Sequence, residues 1–356
     1  MGYDVGSPAL TAWRAFRGEA PLGLIGTVIA AFSMPLIFEP GTSWTYGGGV
    51  DWAGILIKRI NNTSLEAYFR EHIFKPLGMT STTFHAVTPE YLARFINPSV
   101  RDNTKEGRLW PGWLPYPWPA VDEFGGHGLM SNVPDFMAVL QDLIADEPVT
   151  LSRETMDLFF TPQFPPSSPT LKALYANRNF FVGNTGGPLG DLQVNHSIGG
   201  LLIEEYNPMT GCPAGTLAWS GLINTRFWAN RDEGIAGIYA VQVLPRSDLK
   251  NIELAASFQR AIWNMSRRDE EMMANAFAEE NGVDRGNGVS GRNGVREKNC
   301  IDEGNGVLSE NAIAKKNGVT ERNGVAKENG ACKTKGVVEQ NRGVDEANRA
   351  VGRNGA

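Results

Sequence analysis

Cysteine is scarce in this chain. Cys212, Cys300 and Cys332 are too few and too scattered for a disulfide framework or a zinc site. That scarcity points to a reducing interior and a cytoplasmic location. An excess of basic charge is missing too: the net charge of −6 argues against a nucleic-acid partner, which requires a clustered basic face. The opening Met1-Gly2-Tyr3-Asp4 has neither the basic start nor the apolar core of a secretory signal. Long apolar runs are confined to Ala20–Phe38, which Gly23, Gly26, Ser33 and Pro35 interrupt with no basic stop behind them. A membrane span needs roughly 20 mostly apolar residues, so this stretch reads as a buried helix running into an extended piece, with no membrane partner. The histidines at 72, 85, 127 and 196 have no metal-ligand spacing, and neither a metal nor a cofactor is implied.

The text divides at residue 267. Up to Met265 it is varied and apolar. Beyond Arg267-Arg268-Asp269-Glu270-Glu271 it passes through a Met/Ala-rich stretch into Asn-Gly-Val, repeated from Asn281, Asn287, Asn293, Asn305, Asn317 and Asn323. Almost nothing large and apolar lies between the repeats, so burial could not offset the entropy of ordering them. Residues 268–356 therefore read as a low-complexity disordered tail, and 1–267 as the folded domain. Helical signals come first there. Val50–Arg59 has apolar residues at helical spacing and stops at Asn61-Asn62, and Ser64–Ile73 opens on a serine cap. Ser131-Asn132-Val133-Pro134-Asp135 is a helix start with proline in the first turn. Short strand-like runs follow at Gly199–Glu204, Gly215–Trp219 and Gly237–Leu244, separated by turns, and Leu249–Trp263 is a closing amphipathic helix. Helices first and antiparallel strands later give an α+β class.

Three motifs carry chemical meaning. Glu39-Pro40-Gly41 launches a turn that bears Tyr46 and leads at once into the apolar helix containing Asp51-Trp52-Ala53-Gly54. Trp219-Ser220-Gly221-Leu222-Ile223-Asn224 ends a strand run in a glycine turn, where bare backbone can approach a ligand closely. Gly125-Gly126-His127-Gly128-Leu129 is a glycine-rich loop before the Ser131 helix start. With Lys75-Pro76-Leu77-Gly78-Met79, these motifs resemble the serine β-lactamase-like superfamily, in its esterase and fungal transesterase branch. The likeness covers about residues 1–265.

That resemblance implies an incomplete β-lactamase/transpeptidase-like fold: a helical domain, part of an antiparallel sheet and its closing helix. It also implies acyl transfer or ester hydrolysis through a serine acyl-enzyme in secondary-metabolite formation. The substrates would be a thioester or ester acyl donor and an alcohol acceptor, and an acyl-carrier domain or an intact paralogue is a candidate partner. Tyr46 would be the base, although a free phenol titrates near ~10 and needs cationic neighbours to serve as one. Gly221 and the Leu222 N–H would form the oxyanion edge. Trp219, Ser220, Trp228, Trp110 and Trp113 would line the pocket, although rings under a long proline-rich loop are also ordinary packing. Gly48 stands where penicillin-directed relatives carry asparagine after Tyr-x, which favours the esterase branch, and His127 does not fall on a catalytic position.

The nucleophile is not in these motifs. No Gly-x-Ser-x-Gly elbow occurs, and the one Ser-x-x-Lys match, Ser247-Asp248-Leu249-Lys250, opens the last helix, with Ser247 reading as its cap. In relatives the catalytic Ser-x-x-Lys precedes the segment that Gly2-Tyr3-Asp4 resembles. The expectation is an N-terminally truncated unit, impaired or inactive alone. The alternatives are an accessory subunit pairing with an intact paralogue, or an upstream exon that carries the serine.

Overall fold

The computed structural model describes residues 2–280 apart from 103, 105 and 106. The reading of the Asn-Gly-Val tail, with Cys300 and Cys332, lies outside the described residues. The elements run α1 (Pro8–Phe16), α2 (Val28–Phe32), α3 (Gly49–Asn61), α4 (Leu65–Phe69) and α5 (Pro89–Arg94), then β1 (Ser99–Arg101) and β2 (Leu109–Pro111). Next come α6 (Val133–Ile144), α7 (Arg153–Asp157), α8 (Pro169–Ala176) and α9 (Val182–Thr185). The chain then forms β3 (Val194–His196), β4 (Leu201–Ile203), β5 (Thr216–Ser220), β6 (Arg226–Asn230), β7 (Ile235–Tyr239) and β8 (Val243–Leu244), and closes with α10 (Leu249–Glu280). The expected class is borne out: helices precede an antiparallel sheet ordered β3-β4-β5-β6-β7, and a small β2-β1-β8 sheet stands apart.

Alternation along the strands gives the large sheet two apolar faces. Leu217 and Phe227 turn toward α6, where Leu140, Leu143 and Phe136 pack on them. Ala218 and Trp228 turn the other way into a core with Trp263 of α10, and Phe258 of α10 meets the Trp228 ring edge-on at 6.0 Å. A helix on each face shields the sheet from water. The N-terminal lobe has its own core of Leu10, Val28, Ala31, Phe32, Ile55 and Phe124. Its polar clasp is Asp4, which accepts from Arg14 Nε at 2.6 Å and from the Leu22 and Gly23 amides at 2.9 Å each. Arg14 Nη2 in turn donates to the Ala30 and Ala31 carbonyls.

Local chemistry explains most element ends. Asn62 takes the left-handed conformation (φ 48°) that stops α3, Ser64 Oγ caps α4, and Asn132 caps α6 with proline in its first turn. Four expectations change. Ser247 does not cap α10: it sits at φ 64°, and Asp248 Oδ1 takes the Asn251 N–H at 2.9 Å instead. The Gly237–Leu244 run splits between β7 and β8, which belong to different sheets. Only Val28–Phe32 of the Ala20–Phe38 stretch is helical, and no helix among the described residues is long and apolar enough to cross a membrane. Finally, α10 continues to Glu280, past the compositional break, because Ala, Met, Glu and Arg favour helix even without an apolar face to bury.

Candidate active site

Tyr46 is placed by the turn before α3. Gly41 supplies a positive φ of 82°, and its carbonyl accepts from Thr170 Oγ1 of α8 at 2.8 Å. Trp44 wedges against Phe181, ring centroids 5.3 Å apart. A Cβ on Gly48 would lie 2.6 Å from the Phe32 ring, so only glycine lets α3 start hard against that core residue. Tyr46 then stands among Phe180 at 4.6 Å, Tyr3 at 5.4 Å and Trp219 at 6.2 Å. It remains 38% exposed, so the ring is partly open to a ligand.

The glycine-rich loop supports this arrangement from behind. A Cβ on Gly125 would fall 2.3 Å from the Val50 carbonyl oxygen, so the loop crosses the first turn of α3 with no room for a side chain. The Gly126 N–H donates to Asp51 Oδ1 at 2.9 Å, while Asp51 Oδ2 is buried without a hydrogen-bond partner. Burial raises the Asp51 carboxyl despite that amide and the nearby His127. Burial likewise lowers His127, which packs on Phe124 at 4.1 Å. These residues are scaffold beneath Tyr46.

The second motif arrives beside the first. β5 ends at Ser220, whose hydroxyl donates to Asn184 Oδ1 at 2.9 Å. Gly221 N–H then bonds the Thr225 carbonyl at 2.7 Å to close the β5–β6 turn. Among the described residues the Leu222 N–H has no partner, which is the condition an oxyanion donor must meet. Asn224, at φ 67° in the same turn, donates to the Val243 and Pro245 carbonyls at 2.6 and 2.8 Å and accepts from Ser247 N at 2.9 Å. It thus holds the turn against the segment that carries Arg246. The guanidinium of Arg246 lies 3.9 Å over the Phe180 ring, and its Nη2 donates to the Phe180 carbonyl.

These neighbours decide the state of Tyr46. Burial pushes its phenol above the ordinary value. The Tyr3 hydroxyl donated to it and the Arg246 charge pull it back, Asp51 pushes it up again, and the balance stays raised. Tyr46 is therefore a neutral phenol at neutral pH and needs a further cation to accept a proton readily.

Sequence reasoning missed Tyr3, Phe180, Arg246 and His196. The last packs 5.6 Å from Trp219 and donates Nδ1–H to the Ser197 carbonyl at 2.6 Å. Conversely, three expected pocket residues lie elsewhere. Trp228 is 0% exposed, sealed between the sheet and α10. Trp110 is exposed on β2 with its indole N–H on Asp102, and Trp113 is 70% exposed, so neither walls an enclosed pocket. The recess beside the Tyr46 turn is another one, open, about 510 Å³, and lined by Phe38, Ser43, Trp44, Thr45 and Phe164.

A tyrosine turn running into a helix, a glycine-rich loop locked under it and a Trp-Ser-Gly strand end thus converge on one surface. Residues 5–260 match the Beta-lactamase family. The chain belongs to the beta-lactamase family. Its relatives there include the acyltransferase calJ of Penicillium decumbens, 35% identical over 74% of this chain and 63% of that protein. The lovastatin esterase of Penicillium rubens is 30% identical over 73% of this chain and 66% of that protein. The monacolin J acid methylbutanoyltransferase of Aspergillus terreus is 29% identical over 64% of this chain and 56% of that protein. The beta-lactamase-family chain thus spans between 56% and 66% of the length of these relatives. Among solved structures, the unliganded simvastatin synthase LovD from Aspergillus terreus superposes with a TM-score of 0.64 at 25% identity, covering 74% of this chain and 66% of that one. The family setting shows the expected fold, and these relatives are acyltransferases and an esterase.

Proposed function

We propose that residues 1–267 supply the base and oxyanion half of a serine acyl-transfer site, one that moves an acyl group from a thioester or ester to an alcohol or to water. The observation that carries this reading is the stacking of Tyr46 on Trp219 at 6.2 Å. It brings the tyrosine of one motif to the strand edge of the other, three residues before a free Leu222 N–H. In the first half-reaction the lysine of the joined Ser-x-x-Lys segment would take the Tyr46 phenol proton, and the serine oxygen bonds to the acyl carbon while its own proton passes to the Tyr46 phenolate so formed. The carbon–sulfur or carbon–oxygen bond then breaks, and the departing thiolate or alkoxide takes a proton. The Leu222 N–H would face the oxyanion, and the Trp44 recess would hold the acyl chain. An alcohol or water then repeats the attack on the acyl-enzyme.

The chain's own Ser247–Lys250 pair does not supply the serine in this reading. Ser247 N–H is bound to Asn224, and Lys250 Nζ lies 3.0 Å from the position of a Gly107 Cβ, against the loop joining β1 to β2. The test joins this chain to the Ser-x-x-Lys-bearing segment of the Penicillium decumbens relative and follows turnover of p-nitrophenyl butyrate with and without an added alcohol. Turnover is expected, with Tyr46→Phe reducing it by about 10²–10⁴-fold. A folded fusion that is inert, or one indifferent to Tyr46→Phe, would overturn the reading; inertness would favour the accessory-subunit alternative.

A further inference from the structure

Arg226 is a charge sealed inside the protein. It opens β6 opposite Tyr239 of β7 and is 3% exposed. Its side chain reaches the first turn of α10, where Nη2 approaches the Ile252 carbonyl at 3.5 Å. Among the described residues, its Nε and Nη1 are buried with no hydrogen-bond partner. Two residues along the same face of β6, the Trp228 indole N–H is also buried and unbonded. Burial pulls the guanidinium down to about 10, against the pull of Tyr239, so it keeps its charge at neutral pH.

A buried charge left alone is costly, and the other sheltered arginines are answered: Arg14 by Asp4, Arg101 by Asp248 and Arg231 by Asp157. Asp248, just before α10, has nothing left for Arg226. Its Oδ2 accepts from Arg101 Nε at 2.6 Å, and its Oδ1 from the backbone and side-chain N–H of Asn251 at 2.9 and 2.7 Å. Tyr239 gives its hydroxyl to Asn251 Oδ1 at 3.3 Å. Beyond burial, the charges of Arg226, Asp248 and Arg101 all act on that phenol, so the four groups share one corner. The corner thus holds two guanidinium groups and one carboxylate beside the N-terminus of a long helix, which itself favours negative charge. What is unmet there is a set of N–H donors, and what donors lack is an anion. Asn224, Asp248 and Asn251 are buried around it, so an organic molecule has no way in.

We propose that a single monatomic anion, chloride by abundance, binds Arg226 against the first turn of α10 and locks the closing helix onto the sheet. This inference stands apart from the acyl-transfer reading, and its test needs no turnover. The full chain is melted calorimetrically at fixed ionic strength while chloride replaces gluconate, an anion too large to enter. Between no chloride and about 0.3 M, melting should rise by about 4 °C or more, as for a ligand that binds only the folded state. Bromide should act as chloride does. Arg226→Met, which puts an apolar chain of similar length in the same place, should melt alike in both salts. Equal melting of the wild-type chain in chloride and gluconate, or the same chloride-dependent rise in Arg226→Met, would overturn the proposal. Should Arg226→Met fail to fold, wild-type crystals soaked in bromide decide. An anomalous peak within hydrogen-bond reach of Arg226 Nε or Nη1 is required, and a water or nothing at that place refutes the anion.

Discussion

Gly125→Ala and Gly49→Ala are the same chemical change, one on the loop that crosses α3 and one at the first residue of α3, and the structure requires opposite outcomes. At Gly125 the new methyl would sit 2.3 Å from the Val50 oxygen, 2.8 Å from the Val50 carbon and 3.3 Å from the Asp51 Cα. Carbon atoms rest at roughly 3.5–4.0 Å, so loop and helix must part by about 1 Å, and both contacts are backbone that no rotamer change relieves. Overpacking of that kind costs about 3 kcal/mol, at the upper end of the usual range. At roughly 2–4 °C per kcal/mol for a domain this size, melting should fall by about 6–12 °C. Gly49, the first residue of α3, has nothing within 4 Å of its Cβ position. Alanine there should add about 0.5–1 kcal/mol by stiffening the unfolded chain. Differential scanning calorimetry reads both. The near-ultraviolet circular dichroism of the Tyr46–Trp219 stack should change only in Gly125→Ala, because the displaced Val50 lies four residues after Tyr46, just past the turn that opens α3. Melting temperatures that move together, or a Gly125→Ala shift below about 2 °C, would refute the claim that this glycine-rich loop is a spacer under α3.

Two further outcomes follow from the electrostatics. Burial alone would raise the Asp4 carboxyl, but the Leu22 and Gly23 amides and Arg14 outweigh it and hold it below its ordinary value. The stability it contributes is therefore complete above about pH 4 and lost as pH falls through its folded value. Asp4→Ala, which unpairs the Leu22 and Gly23 amides and leaves the buried Arg14 with Glu19 as its remaining acid partner, should cost about 3 kcal/mol at neutral pH in a denaturant melt, and Asp4→Asn should flatten the acid limb. Tyr46 has the opposite sign: its raised phenol contributes stability below about pH 10 that is lost as pH rises through the folded value. Absorbance at the phenolate band should show it titrating above the free value, and Arg246→Gln should move it higher still, since the cation is removed. Titration at or below about 10 would contradict the balance assigned to its neighbours.

Much of the architecture was legible because it rests on local chemistry. Ser64 and Asn132 fix helix starts through their own side chains, Asn62 stops α3 by a left-handed backbone that asparagine tolerates, and the apolar spacing of α3 is visible without a structure. β6 was not expected as a strand, and its ends explain why. Arg226 and Asn230 are polar yet buried, Asn230 donating to the Ala214 carbonyl and Thr216 Oγ1. Such residues look like turn in isolation. Tyr46, Trp219 and Leu222 were singled out through a pattern that resemblance made meaningful, and the structure sets Tyr46 beside Trp219. Arg246, Phe180 and Tyr3 were not, because each is brought to Tyr46 by a different part of the chain. Trp228, Trp110 and Trp113 show the converse error: residue type suggested a pocket, while strand register and burial put one ring in the core and left the others in solvent.

The claim that this chain carries the tyrosine side of the site, and not its nucleophile, is tested most directly by intact mass. The folded chain is exposed to an activated acyl ester alongside the Penicillium decumbens relative. The account predicts a stable acyl increment on the relative and none on this chain. An increment mapped to a serine here, Ser220 or Ser247 above all, would contradict it and place the nucleophile within the sequence.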